Sequence, residues 1–237
     1  MRFDVITLFP EMFEPFTSCG VIRRAFESEQ IVLRCWNPRD FASGPYRRVD
    51  DRPFGGGPGM VMLAQPLADC LDAIRVDRGE SRDASPVVLF SPIGERMNHS
   101  VVAHWANTTG AILLCGRYEG IDQRFIDAEV DVQISLGDFV ISGGEIAALA
   151  LLDAVARLQP GVLSDEHSAL QDSFHPHVNG MLDCPHYTRP EVWRDQPVPE
   201  VLLSGHHAQI EAWRQQQRVQ VTARHRPDLL DLSLIHI

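Results

Sequence analysis

Lysine is absent from the sequence, so all 21 basic residues are arginines. Arginine makes the better bidentate contact with phosphate, but a GC-rich coding sequence leaves the same mark, and that bland origin carries most of the weight. Against the arginines stand 32 acids, for a net charge of −11. A nucleic-acid binder usually shows basic surface. Contact with RNA would therefore need a local basic patch on an acidic body, and bulk charge neither supports nor excludes it. Long apolar runs are missing too: no stretch reaches the roughly 18 uninterrupted apolar residues of a membrane span, so no membrane association is expected. Met1-Arg2-Phe3-Asp4 puts an acid where a secretory signal would carry its apolar run, and no targeting segment is expected. The five cysteines (Cys19, Cys35, Cys70, Cys115, Cys184) are dispersed and never form CxxC. They argue for buried free thiols in a reducing cytoplasm rather than a disulfide frame.

The two common nucleotide-binding fingerprints, GxGxxG and GxxxxGK(S/T), are also missing. A zinc site has one candidate set, His175, His177, Cys184 and His186. Zinc ligands usually come as tight pairs flanking a compact turn, whereas Pro176, Pro185 and the apolar Met181-Leu182 suggest an ordered loop here, so no metal is assigned.

What is present is an ordinary globular composition, 44% apolar and 22% charged over 237 residues. That length suits one large domain or a catalytic domain with a small appendage. The first two-thirds alternate between strand and helix. Val5-Ile6-Thr7-Leu8 predicts a short strand ending at Pro10, and Gly20 to Phe26 predicts a helical face. Leu67, Cys70, Leu71 and Ile74 follow the spacing of an amphipathic helix. Pro86 to Phe90 and Ala111 to Cys115 are continuous apolar runs, as in strands covered on both faces. Between them Asn98 to Asn107 predicts a helix with Asn98 as its N-cap. Another strand is expected over Val130 to Leu136. Glu145 to Leu158 is apolar almost all round and stops at Pro160-Gly161, which predicts a buried helix at a core or subunit interface. The class is α/β with a parallel sheet. Three spans are expected: a catalytic domain over 1–161, a polar linker over 162–185, and a small helical domain over 186–237 with a helical patch at His207 to Arg214.

Three glycine-rich segments follow or abut the expected strands: Phe54-Gly55-Gly56-Gly57-Pro58-Gly59-Met60, Gly116-Arg117-Tyr118-Glu119-Gly120, and Ser135 through Gly143-Gly144-Glu145. Glycine tolerates positive φ and lets backbone approach a ligand, and loops at the carboxyl edge of a parallel sheet are where α/β proteins bind ligands. Spacing alone leaves a small-molecule pocket and tight structural turns equally open.

The residues then carry a resemblance. Leu8-Phe9-Pro10-Glu11-Met12-Phe13, Val49 through Met60, Cys115-Gly116-Arg117-Tyr118-Glu119-Gly120-Ile121-Asp122, Gly137-Asp138 through Ser142-Gly143-Gly144-Glu145, and Leu182 through Glu191 together resemble the TrmD family of bacterial tRNA (guanine-N1)-methyltransferases. The resemblance runs in order from residue 1 to about 230. It implies a SPOUT-type fold with a C-terminal trefoil knot in the catalytic domain, which pattern reasoning alone would exclude, since knots are rare. It implies a homodimer with active sites shared between chains, and methylation of N1 of the guanine at tRNA position 37, 3′ of the anticodon. The knot loops would bind S-adenosyl-L-methionine through Phe90, Ser91, Pro92, Gly116, Tyr118, Glu119, Leu136, Gly137, Asp138, Phe139, Val140, Ile141, Gly143 and Gly144.

Guanine N1 carries a proton, so catalysis reduces to in-line positioning and general-base work. A carboxylate of pKa about 4 is a weak base, made adequate by a cation at guanine O6. The resemblance gives these roles to Asp172 and Arg157. Read without it, Asp172 fits a turn or cap and Arg157 a dipole-complementing residue in the last helical turn. Asp50, Arg52, Arg189 and Arg214 are candidate RNA contacts, with Trp213 beside Arg214 fitting a core role at least as well. Mg2+ is retained as a candidate assistant with no ligand set assigned. Two features depart from the family: a longer loop at 173–181, and the ending 232–237, which matches nothing in it. A noncatalytic RNA binder and a zinc hydrolase are the competing classes.

Overall fold

The computed structural model describes residues 1–79, 81, 84–165 and 167–230; the atypical ending 232–237 lies outside them. The chain forms two compact units, the first spanning Met1–Ser164 and the second beginning at Asp165.

In chain order the first unit comprises β1 (Arg2–Ile6), α1 (Glu14–Ser18), α2 (Arg23–Glu27), β2 (Val32–Trp36), β3 (Asp50–Asp51), β4 (Val61–Met62) and α3 (Ala64–Arg78), then β5 (Val87–Arg96), α4 (His99–Ala106), β6 (Gly110–Leu114), α5 (Gln123–Glu129), β7 (Val132–Ser135) and α6 (Glu145–Arg157). Its centre is a five-stranded sheet in the order β2-β1-β6-β5-β7, parallel at every pairing. The short β3 and β4 pair separately and antiparallel. The alternation along β5 shows why its apolar run is continuous: Val88 and Phe90 enter a core with α2, α4 and α6, while Val87 and Leu89 enter another with α3 and α5. Helices cover both faces, so neither set of side chains has to be polar.

Several expected elements stand where their residues placed them. The apolar positions of α3, Leu67, Cys70, Leu71 and Ile74, are all buried. Every residue of β6 is buried. Gly110 opens that strand at φ +122, and a Cβ there would overlap the Arg2 carbonyl, so only glycine allows β6 to close on β1. The Asn98 side chain caps α4 by accepting from Val101 N at 3.0 Å.

Others moved. Strand β1 begins at Arg2 rather than Val5, because Asp4 sits in its middle without solvent: Arg78 Nη1 donates to it at 2.6 Å, Arg2 at 2.8 Å and Trp36 Nε1 at 2.8 Å. A carboxylate so partnered can occupy a central strand, and period counting misses it. Strand β5 continues to Arg96 by a register shift in which both Phe90 and Glu95 oppose Ile134, so the residues between them arch away from the ladder. The thiols are all free, and Cys70, Cys115 and Cys184 are buried, but Cys19 is exposed. Burial pushes the Cys70 thiol up to about 12. Helix α6 is not buried all round: Ala147, Ala148, Leu151, Leu152, Val155 and Ala156 face the core, whereas Ile146 is half exposed. Its apolar composition exceeds what the single chain covers.

The second unit contains α7 (His167–Gln171), β8 (Val192–Trp193) paired with β9 (Gln196–Pro197), α8 (Glu200–Leu203) and α9 (His207–His225). The helical patch at 207–214 is the first part of the 19-residue α9. Segment 178–184, expected as loop, packs on that helix. Val178, Met181 and Cys184 are buried, Leu182 N donates to Thr222 Oγ1 at 3.0 Å, and the buried Arg218 pairs with Glu211 at 3.0 Å and Asp183 at 3.4 Å.

Asn98→Ala is expected to cost about 1 kcal/mol through loss of the α4 cap, with Asn98→Asp near neutral; urea unfolding measures both.

Candidate functional site

The carboxyl ends of β5, β6 and β7 open into a cavity of about 300 Å³. Three segments enclose it: the arch of β5 after Phe90, the turn 116–121 after β6, and the loop 136–144 after β7. The lining includes the buried apolar Leu89, Phe90, Ile121, Ile134 and Ala147, and Gly116, Gly137, Gly143 and Gly144 bring bare backbone to it.

Two of these glycines are structural necessities. A Cβ on Gly144 would stand 2.8 Å from Cys115 Cα, and one on Gly143 would overlap Arg117 Nε. The backbone of Gly144 donates to Gly116 O at 3.0 Å, which ties the β7 loop to the β6 turn. Where loops pass this closely, main-chain groups rather than side chains face a ligand.

The tie is reinforced by a buried charge. Glu145, the first residue of α6, has no exposed surface and pairs with Arg117 Nε at 2.9 Å. Thr7 Oγ1, just past β1, donates to the other oxygen at 2.9 Å. The Arg117–Glu145 approach is a charge contact rather than an aligned hydrogen bond. The guanidinium also donates to Ser142 O at 3.3 Å and lies 4.4 Å over the Phe9 ring. One side chain thus joins the ends of β1 and β6, the β7 loop and the start of α6. Neither Arg117 nor Glu145 was singled out from sequence, although both stand inside glycine motifs; burial of a charged pair is a three-dimensional fact that a motif does not display.

Of the residues assigned to cofactor binding, Phe90, Ser91, Pro92, Gly116, Tyr118, Glu119, Leu136, Gly137, Phe139, Val140, Ile141, Gly143 and Gly144 all line this cavity. Asp138 does not; it is exposed and pairs with Arg96 at 2.5 Å. Tyr118 adopts φ +60, and its hydroxyl accepts from Arg39 Nη2 at 3.3 Å. Burial, then the charge of Asp50, pushes its phenol above the ordinary range. Glu119 lies over Gly59, whose Cβ would stand 2.5 Å from Glu119 Cγ, and its N–H donates to Met60 O at 2.9 Å. The loop 54–59 is therefore seated on the 116–121 turn. Arg52, at the entrance to that loop, is exposed.

Arg157 is half-buried in the last turn of α6, in the first unit. Asp172 belongs to the second unit, half-buried just after α7, where its carbonyl accepts from His175 N at 3.3 Å. Arg189 is exposed. Trp213 is half-buried with its ring 6.2 Å from Tyr187, and Arg214 lies 3.8 Å from Glu211. In the histidine-rich stretch, His175 Nδ1 accepts from His177 N at 3.0 Å and His186 Nε2 meets Asp183 at 2.9 Å. Among the described residues no group of three or more His, Cys, Asp or Glu is arranged to hold a metal.

Comparison with known proteins adds a family. The model of the family described as tRNA (Guanine-1)-methyltransferase TrmD matches residues 1–232. The chain is 67% identical to the tRNA (guanine-N(1)-)-methyltransferase of Paracidovorax citrulli, over 99% of this chain and 92% of the relative. It is 66% identical to the protein of the same name from Polaromonas sp., over 97% and 89%, and 57% identical to that of Cupriavidus necator, over 98% and 89%.

Removing one partner of a buried ion pair strands the other charge. Glu145→Leu is expected to lower stability by about 3 kcal/mol, and Arg117→Leu by more, because Glu145 has no solvent to turn to whereas Arg117 is 18% exposed. Urea unfolding of both variants checks the size and the order.

Proposed function

The chain belongs to the TrmD family of tRNA (guanine-1)-methyltransferases, and from that premise we propose that the glycine-walled cavity binds S-adenosyl-L-methionine for methyl transfer to guanine N1 at position 37 of tRNA. The chain is a tRNA (guanine-N1)-methyltransferase. The cavity is the observation that carries the cofactor assignment. Its volume of about 300 Å³ lies at the small end of ligand pockets, its lining is apolar enough for a purine, and its wall offers main-chain groups where a side chain would collide. Those features fit a folded adenosyl compound held by backbone.

In this reading residues 1–161 form the catalytic domain, with the arch of β5 and the loops after β6 and β7 belonging to a trefoil knot. Residues 162–185 carry the base, and 186–237 form the tRNA-binding domain. The enzyme works in the cytoplasm as a homodimer whose active sites take residues from both chains; the half-exposed Ile146 on the largely apolar α6 supports an interface there.

Bound in the cavity, the cofactor supplies a methyl group activated by the positive charge on sulfur. What remains for the protein is to ionise and align the acceptor. Asp172 takes the N1 proton of guanine, and the guanidinium of Arg157 stabilises the negative charge that develops on O6. The target base leaves its loop to reach the cavity, as base-modifying chemistry generally requires. Glu119 is an acceptor within the cavity for guanine or for the amine of the cofactor, and Asp50, Arg52, Arg189 and Arg214 contact the RNA.

Asp172→Asn is expected to lower the methyl-transfer rate by about 10²- to 10⁴-fold with S-adenosylmethionine affinity unchanged by calorimetry. Transfer of labelled methyl to unmodified tRNA, with mass mapping of the nucleoside product at position 37, measures it. A normal rate in that variant would remove Asp172 from the role of base.

A further inference from the structure

We propose that the hairpin formed by β8 and β9 is an RNA contact of the second unit, in which a pre-stacked Trp193–Arg194 pair receives an unpaired base together with its phosphate. The proposal rests on the reading of the chain as an enzyme acting on tRNA.

The hairpin is small and well defined. Val192 pairs with Pro197 and Trp193 with Gln196 in antiparallel register, and Val198 N donates to Glu191 O at 2.8 Å at its open end. The connection is the two-residue turn Arg194-Asp195, with φ of 49° and 61°. Two successive positive φ angles belong to the turn that favours Asn-Gly. An arginine and an aspartate hold it here, so the turn accepts backbone strain in order to present a charged side chain at its tip. Strain of this kind gathers at binding sites.

The tip is also exposed. Trp193 shows 60% of its surface, and the Arg194 guanidinium lies 4.7 Å over its ring. An exposed indole is not unusual alone. A guanidinium held over the ring sets a cation and an aromatic face side by side, and unpaired RNA bases are bound by stacking on aromatic rings and guanidinium planes. The pair anticipated from sequence offers less: Trp213 is half-buried against Tyr187, and Arg214 faces Glu211. Arg189, exposed a few residues before the hairpin, adds positive charge on the same segment, while Glu191 and Asp195 set the opposing charge around it.

The turn provides its own controls. Arg194→Gly removes the guanidinium while relaxing the backbone, so any loss of RNA affinity arises in a protein that melts no lower than the parent. Asp195→Gly relaxes the same turn and leaves the stack intact. The measurement is anisotropy of labelled, unmodified tRNA with the full chain, repeated over a salt series, beside methyl-transfer kinetics and sedimentation.

Trp193→Ala is expected to raise the tRNA Kd about tenfold, with kcat at saturating tRNA and cofactor affinity unchanged and with Trp193→Phe recovering most of the loss. Arg194→Gly is expected to weaken binding and to make the slope of log Kd against log salt shallower by about 0.7. Asp195→Gly is expected to bind as tightly as the parent or tighter. A tRNA Kd within twofold of the parent in both Trp193→Ala and Arg194→Gly overturns the proposal. So does a change in sedimentation with tRNA affinity intact, which assigns the hairpin to a contact between protein chains. A parent that binds tRNA but methylates no guanine N1 sinks the functional reading and leaves the hairpin judged by the binding data alone; a parent that binds no RNA overturns both.

Discussion

The Arg117 guanidinium and the Glu145 carboxylate meet where four segments of the first unit converge, and the cavity exists only while those segments stay together. Taking a carboxylate wholly out of water costs several kcal/mol. Part of that cost is offset by the guanidinium at 2.9 Å, part by the Thr7 hydroxyl, and part by the position of Glu145 in the first turn of α6, where the helix dipole favours negative charge. Each compensating group comes from a different segment. The pair is thus stable only in the native arrangement of the loops, and it converts a geometric requirement of the cavity into an energetic one. Gly143 completes it, because the guanidinium passes through the space a side chain there would fill.

The same competition for arginine explains why net charge says little about partners. Arg2 and Arg78 are spent on the buried Asp4, Arg34 pairs with Asp77, Arg117 serves Glu145, and Arg218 serves Glu211 and Asp183. Of these, Arg78, Arg117 and Arg218 hold the fold together from inside, and Arg34 does so at the surface. The positive surface that remains is local, and its members are recognisable only once burial is known.

Where local chemistry decides, the sequence was readable. The apolar spacing of α3, the buried run of β6 and the cap of α4 each depend on residues close along the chain. Of the three glycine segments, those after β6 and β7 meet the arch of β5 at one cavity, since parallel strands deliver their carboxyl ends to one edge; the segment at 54–60 lies outside that lining and is seated on the 116–121 turn instead. Legibility ended where a distant partner changes what a residue can do. Asp4 falls outside the apolar run that marks β1, and only the closing of Arg78 on it explains its place in the strand. Segment 178–184 looks like a polar loop until Arg218 and Thr222 of α9 bind it. The arch in β5 depends on Gly94 lying against the backbone of Gln133, which no spacing rule anticipates. Trp193 carried no periodic signal, since a two-residue strand is too short to show one.

A wall built of main chain has a further consequence for chemical inhibition. Cells escape most inhibitors by exchanging a side chain that the compound touches. At Gly143 and Gly144 even a methyl group collides with Arg117 or with the Cys115 backbone, so exchange there damages the protein as well as the contact. A compound whose polar atoms address that wall, rather than the open rim at Tyr118 and Glu119, would leave few routes to resistance that also leave a working enzyme.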